Sequence, residues 1–570
     1  MNNLYFNRNQ HLLPIISNFK CSFVHQKPET RFSLVFLVLI ILGFYPFILN
    51  AQESHSNYQN HTFRHYDRYV YQANHRFHTS VKPFLNHQID SIVSLDSLYH
   101  IPVNHKAWDF VFNRSLIEFD KNNFQFTVDP LFNFELGKSP EFDNKSWINT
   151  RGFLINGVIG KKFSFSTSFY ENQAVYNDFR EELIDKHEVI PGQGRPKEYK
   201  ETGHDYAFSE AYVSYSPNTY FNFQFGHGKN FIGDGYRSLL LSDYAFSYPY
   251  LKITTDIWNL KYMMLWMQFQ DFTTKHPYGE PYDKKWGAFH YLDWSVTKWL
   301  NIGLFEAIIW QNADSTGYRG FDINYANPVI FFRPVEFSLG SPDNVLLGVN
   351  GKITLFNKHV FYGQLMLDEF KLSEVQAGIQ HRLNPSDSTI KWGWVSNKYA
   401  IQAGYKTFSV FNINHFDIQS EVNFARPFTY SHISSLKNYA HYNVSLAHPL
   451  GSNFLESVTF LRYNYKRLFF EARFSYAKHG SDTAGLNYGN DLFKNYTEAA
   501  QDYYNKLGQA QEVILKYGTL TTAYLVNPST NLNVYVSVTN RNESSLGLSK
   551  NQRLITFGIR TSLQNFYYDF

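Results

Sequence analysis

From Trp108 onward the chain alternates apolar and polar residues with a period of two. Ser164, Ser166 and Ser168 interleave with Phe163, Phe165, Thr167 and Phe169. Asn222, Gln224 and Gly226 interleave with Phe221, Phe223 and Phe225. Asn533, Tyr535, Ser537 and Thr539 interleave with Leu532, Val534, Val536 and Val538. Successive side chains of a strand point to opposite faces, so each run puts one row in an apolar medium and the other in a polar one. A soluble sandwich would alternate in the same way, and the connections discriminate between the two. Tight reversals rich in Gly, Pro, Asn and Lys recur at Gly160–Lys162, Pro217–Thr219, Thr297–Trp299, Asn357–His359, Asn464–Arg467 and Asn527–Thr530. Long polar stretches separate the hairpins: Glu171–Asp205, Gln270–Lys285, Gln311–Tyr325, Lys478–Gln511 and Asn540–Gln552. Short turns at one end and long loops at the other are the asymmetry of a bacterial outer-membrane barrel. The pattern therefore predicts an all-β fold, a transmembrane antiparallel β-barrel of about 18 strands over residues 108–570. Leu554–Leu563 reads as its last strand. Phe566, Tyr568 and Phe570 alternate beyond it, similar to the terminal signal that barrel-insertion machinery recognises.

The chain ahead of Trp108 reads differently. Residues 32–49 are almost continuously apolar and follow Lys27 and Arg31, the layout of a secretory signal, with cleavage expected between Ala51 and Gln52. An uncleaved helical anchor is the alternative, because the run approaches the ~18 residues that can span a bilayer. The expected division is a signal peptide at 1–51 with an over-long start, a periplasmic segment or plug at 52–107, and the barrel. Within the middle part, Asn86–His100 could form a short helix with Ile89, Ile92, Val93 and Leu95 as its apolar stripe. His61 and His65 would share a helix face, but in a chain with 22 His such spacing arises by chance, and no metal site is assigned.

Composition sharpens this picture. Aromatic residues make up 19% of the chain, with 54 Phe and 42 Tyr, which suits strands with aromatic girdles at both membrane interfaces. A mean hydropathy of −0.37 is too low for a polytopic helical membrane protein and fits half-polar strands. The formal charge of +3 argues against a dedicated nucleic-acid binder. The single cysteine, Cys21, precedes the apolar run, which excludes a disulfide framework or Cys-zinc site in the mature chain. Glu306, Glu471 and Arg473 interrupt apolar strands. A lipid-facing Arg costs about 2–4 kcal/mol at the midplane, so these charges are expected to face the lumen, as an ion-pair network or a polar path. Trp286, Trp294 and Trp310 could stack on sugar rings or serve as girdle residues.

The most distinctive segment runs from Phe225 to Ser242, with glycines at 226, 228, 233 and 235. Its spacing fits neither a phosphate loop nor a dinucleotide fingerprint. It reads as a strand entering a compact glycine turn, with Lys229, Asp234 and Arg237 in the lumen or mouth. Asn327-Pro328 followed by Arg333-Pro334 and Glu336 forms a second segment, and Tyr362-Gly363-Gln364 followed by Asp368-Glu369 a third. Taken as a strand pair, Asp368 and Glu369 point to opposite faces and cannot flank one glycosidic bond. No nucleophile–base arrangement can be picked out, so the chain is read as a non-enzyme without cofactor.

These three segments look like those of the Wzi capsule-assembly family and the related RemB-type gliding-motility proteins. The resemblance implies an 18-stranded outer-membrane barrel that holds or organises surface polysaccharide, or that acts in surface adhesion during gliding. It implies outer-membrane lipid, surface polysaccharide, and motility or secretion proteins as partners. The candidate binding residues are Lys229, Asp234, Arg237, Arg333, Glu336 and Asp368. The competing reading is a porin-like channel or a component of a protein secretion system.

Overall fold

The computed structural model describes residues 54–570 apart from 56–59, 94–97, 141–144, 275–279, 315–316, 329–330 and 341. The expected export segment and Leu95 lie outside the described residues. Eighteen antiparallel strands close into a barrel. The first six are β1 (Phe124–Lys138), β2 (Lys145–Ile159), β3 (Phe163–Val175), β4 (Gly203–Tyr215), β5 (Phe221–Gly228) and β6 (Tyr248–Ile257). Then follow β7 (Leu260–Asp271), β8 (Asp283–Ser295), β9 (Leu300–Gln311), β10 (Asn344–Leu355), β11 (His359–Leu367) and β12 (Tyr399–Thr407). The wall is completed by β13 (Phe416–Ala425), β14 (Phe454–Tyr465), β15 (Leu468–Ser481), β16 (Gln511–Asn527), β17 (Leu532–Ser545) and β18 (Leu548–Arg560). Each strand pairs with its neighbour in the chain, and β18 closes on β1 through Arg560↔Asn133 to Ile555↔Lys138.

The period-two rows fall on the two faces of this wall. Ser164, Ser166 and Ser168 are buried toward the lumen, whereas Phe221, Phe223 and Phe225 are exposed on the outside. Exposed aromatics sit at the short-turn end: Trp258, Trp299, Phe356 and Tyr465. An apolar outer belt on a closed sheet satisfies every wall backbone group without water, and the chain is a bacterial outer-membrane barrel. No helix among the described residues is long and apolar enough to cross a membrane.

Several expectations need correction. Asn540–Gln552 is not a loop: β17 and β18 run through it to a tight Leu546-Gly547 turn. Its polar side chains bond across the hairpin, with Arg541 donating to Gln552 at 3.1 Å and Asn542 to Asn551 at 2.7 Å. The expected helix at Asn86–His100 is shorter, Asn86–Asp90; Ile89 is buried, with Ile92 and Val93 packed beside it.

The last strand ends at Arg560, before Leu563. The Thr561 N–H donates to the Phe132 carbonyl at 3.0 Å, and the chain then leaves the wall. The alternation through residue 570 is real, but Leu563, Asn565, Tyr567 and Asp569 form a buried row inside the barrel rather than a membrane strand. Below that point the edge of β1 is taken by Ile117–Lys121, which pairs with Val128–Phe124. In the gap, Asp129 accepts from the Leu116 N–H at 3.1 Å and the Ser115 hydroxyl at 3.2 Å. The eighteenth stave is thus shared between two distant parts of the chain.

Glu471 and Arg473 point inward, but Glu306 does not. Phe305, Ala307 and Ile309 belong to the lumenal core, so Glu306, Ile308 and Trp310 lie on the outer face. The loop between β9 and β10 folds back over that face. It brings the Phe331 and Arg333 N–H groups to the Glu306 carboxylate, the latter at 3.1 Å. Hydrogen bonding and cover by the loop, not a lumenal position, are what make this charge tolerable.

Candidate functional site

Inside the barrel, residues 229–247 drop from the outer end of β5 and are almost wholly buried. Phe231–Ile232 pairs antiparallel with Val81–Lys82, so the N-terminal segment and the glycine turn meet in the lumen. Gly233 has φ +143°, a conformation that side chains disfavour. At Gly235 a Cβ would lie 2.7 Å from the Glu421 carboxylate and 2.8 Å from the Arg237 carbonyl. The glycines let this backbone approach the wall closely. Gln364 on β11 grips the turn, donating to the Ile232 carbonyl at 3.0 Å and accepting the Leu239 N–H at 2.8 Å. Two of the three distinctive segments therefore form one contact.

Asp234 is the anchor of the N-terminal side. Its carboxylate accepts from the Tyr71 hydroxyl at 3.0 Å, the Thr79 hydroxyl at 2.5 Å and the Asn350 amide at 3.3 Å. Burial alone would raise the Asp234 carboxyl, but the ammonium groups of Lys352, Lys82 and Lys406 outweigh it and hold it below its ordinary value. Lys82 donates to the Gly233 carbonyl at 2.9 Å, and burial pushes its ammonium down to about 8. Helix α1 (Asn60–Val70) is tied to the wall by Arg68 with Asp417 at 2.8 Å and by Asp67 with Lys406 at 3.0 Å.

Arg237 is the anchor of the C-terminal side. Its guanidinium pairs with Glu456 at 2.8 Å and Asp569 at 3.0 Å, and its own N–H donates to Glu421 at 2.9 Å. Asp569 also meets Arg473 at 3.1 Å and the Tyr236 hydroxyl at 3.1 Å, and Glu456 meets His448 at 2.6 Å. Asp243 completes the tie, accepting from Asn565 at 2.7 Å and from the Tyr567 hydroxyl at 2.6 Å. Lys229 lies nearby, donating to the Gly192 carbonyl at 2.9 Å.

The structure brings Lys229, Asp234 and Arg237 into the lumen but not the other three candidates. Arg333 and Glu336 pair at 2.9 Å in helix α2 (Arg333–Leu339), within the loop that covers the outer wall. Asp368 lies just past β11 at the outer rim, with Lys398 at 3.1 Å and the Tyr430 N–H at 2.9 Å. Burial pushes its carboxyl up to about 6 despite Lys398. Because β11 stops at Leu367, Asp368 and Glu369 do not diverge as strand neighbours: Glu369 reaches the same Lys398 ammonium at 3.3 Å. One ammonium between two carboxylates makes a structural tie.

Among the described residues, polar cavities lie beside the plugging segments. One of ≈ 170 Å³ is lined by Glu135, Arg180, Glu471, Arg473, Tyr535 and Tyr568. The other, ≈ 110 Å³, is lined by Glu210, Lys229, Asp243 and Tyr250. At the outer surface, the loops 368–398 and 482–510 carry a cluster that sequence reading did not single out. His381 stacks on Trp392 at 4.7 Å between centroids, and Tyr504 meets Trp392 edge-on at 5.8 Å. Lys371 sits 4.0 Å over Trp394 and Lys391 5.5 Å over Tyr503. Trp286 and Trp310 hold the outer-wall loop instead, their indole N–H groups donating to Asn312 at 2.9 Å and to the Gly320 carbonyl at 3.0 Å. Trp294 is exposed near the short-turn end.

No family model and no curated protein sequence matches the chain. Among solved structures, the fold is similar to that of Wzi, an outer-membrane protein involved in group 1 capsule assembly in Escherichia coli and a carbohydrate-binding β-barrel. That match has 13% identity and a TM-score of 0.45, and covers 78% of this chain and 85% of that one. The fold is also similar to that of Acinetobacter baumannii OccAB2, with 10% identity and a TM-score of 0.41 over 77% of this chain and 98% of that one. For Pseudomonas aeruginosa OprD the identity is 11% and the TM-score 0.38, over 77% of this chain and 96% of that one.

Proposed function

We propose that this outer-membrane barrel binds surface polysaccharide at its outer rim and supports capsule assembly or attachment. The observation that carries this reading is the rim cluster of Trp392, Trp394, Tyr503 and Tyr504 with Lys371 and Lys391. Aromatic faces pack against the C–H faces of sugar rings, and ammonium groups beside them suit acidic sugars. A lumen filled by the N-terminal segment, residues 229–247 and the C-terminal tail suits a binding role better than free conduction. Calorimetric titration of purified protein with polysaccharide extracted from the producing strain tests the reading. The double variant Trp392→Ala, Tyr504→Ala should weaken binding at least about tenfold, roughly 1.4 kcal/mol. Absence of binding by the unaltered protein would remove the proposal. In cells, loss of the gene should reduce surface-polysaccharide staining, and scoring of spreading on agar in the same strain separates a gliding role.

The second reading is a solute channel, and the ≈ 170 Å³ cavity with Arg180, Arg473 and Arg560 on its walls favours it. It predicts that loss of the gene lowers solute uptake and leaves surface polysaccharide unchanged.

A further inference from the structure

We propose that residues 319–328 and 331–339 form a re-entrant flap lying in the outer leaflet against the barrel wall, with Ile323, Phe331, Phe337 and Leu339 presented to lipid acyl chains. By connectivity this stretch belongs to a long outer loop, which would ordinarily rise into water or fold inward. Here it descends. Tyr325 and Phe332 pack on the outward-facing Ala288, Ile308 and Trp310. Phe332 also lies over the His290 ring at 4.2 Å. Polar groups of the wall secure the flap backbone. The Trp266 indole donates to the Tyr325 carbonyl at 2.9 Å, the Trp310 indole to the Gly320 carbonyl at 3.0 Å, and the Tyr262 hydroxyl to the Pro328 carbonyl at 2.9 Å. Glu306 receives the N–H groups of Phe331 and Arg333. Irregular backbone at membrane depth is tolerated only when its polar groups find protein partners, and these contacts supply them.

Continuity with the wall identifies the occupant. Glu306 pairs with Leu347, above Val349, Ile353 and Leu355, which are 37–41% exposed on the same apolar belt. The flap therefore overlies the half of the belt nearer the outer loops. Its own outward side chains include Phe337, Ile323 and Phe331, 81%, 75% and 60% exposed, with Asn324, Arg333 and Ser338 exposed among them. Large apolar side chains exposed beside lipid-facing wall residues fit acyl chains.

Depth measurement by electron paramagnetic resonance tests this. Phe337→Cys in a Cys21→Ser background carries a nitroxide, and the protein is reconstituted in phosphatidylcholine–phosphatidylglycerol vesicles. Leu304→Cys on the bare wall and Leu383→Cys on an exposed loop helix are the references. Collision of the 337 label with oxygen should exceed collision with a water-soluble nickel chelate, as at residue 304. Nickel-dominated collision, as at residue 383, overturns the proposal, and so does spin–spin broadening between labels, which would put a second copy on this face. Phe337 is exposed, so its replacement leaves the packing intact. Glu306→Leu should raise the mobility of the 337 label while the barrel stays folded on unheated gels; unchanged mobility would refute the latch.

Discussion

Replacing Arg237 by Met should free the C-terminal tail from the lumen. The guanidinium is 1% exposed and neutralises both Glu456 and Asp569, themselves fully buried. Removing one partner of a buried ion pair costs about 3–5 kcal/mol, because it leaves an uncompensated charge. Each carboxylate here keeps a second partner, Glu456 with His448 at 2.6 Å and Asp569 with Arg473 at 3.1 Å. The cost should therefore fall at the low end, about 3 kcal/mol, which is a roughly hundredfold rise in the population with the tail released. The wall does not depend on the tail below Thr561, so the barrel should remain intact. Carboxypeptidase digestion read by intact mass reports the released state. The unaltered protein should resist trimming, and the Arg237→Met variant should lose tail residues at a rate raised by up to about a hundredfold. The companion variant Arg237→Lys should fall between the two, since an ammonium restores charge but not the forked geometry. Equal digestion of all three would refute this role for Arg237.

Two further outcomes follow from the lumen and the loops. Gly235→Ala should lower thermal stability by about 1–3 kcal/mol, because its Cβ would collide with the Glu421 carboxylate and the Arg237 carbonyl; an unchanged melting temperature by circular dichroism would count against that packing. Burial, ahead of the nearby lysines at His432, pushes His432 and His441 down to about 3. Both return to about 6.5 when exposed, so their contribution is fully present above pH 6.5 and is lost as the pH falls below it. Hydrogen exchange across residues 426–453, corrected for intrinsic rates, should therefore accelerate between pH 6.5 and 4. Constant protection over that range would contradict it.

The barrel was legible because its signal is local. Phe221, Phe223 and Phe225 announce an outward row whatever surrounds them, and turns such as Thr297–Trp299 mark the short end. Elsewhere the same local signal serves two environments. The alternation from Leu563 to Phe570 looks alike on a membrane strand and in a buried tail, and only partners such as Asp243 and Arg237 distinguish them. The cost of charge in lipid points Glu306 to the lumen, and a covering loop removes that cost on the outer face. The glycine turn stood out, but the groups that fix Asp234 and Arg237 did not. Thr79, Glu421, Glu456 and Asp569 are scattered along the chain without motif, and closure of the barrel alone brings them together. The rim aromatics carry no local signal, because Trp392 and Tyr504 meet across two long loops.

The lumen of this barrel is occupied by its own chain, and the proposed binding site lies at the outer rim. Single-molecule conductance of the intact protein in planar lipid bilayers tests this occupancy. Insertion without stable ohmic open-pore steps is expected, with such steps appearing in the Arg237→Met variant. Large, steady conductance steps from the unaltered protein would contradict it and favour the channel.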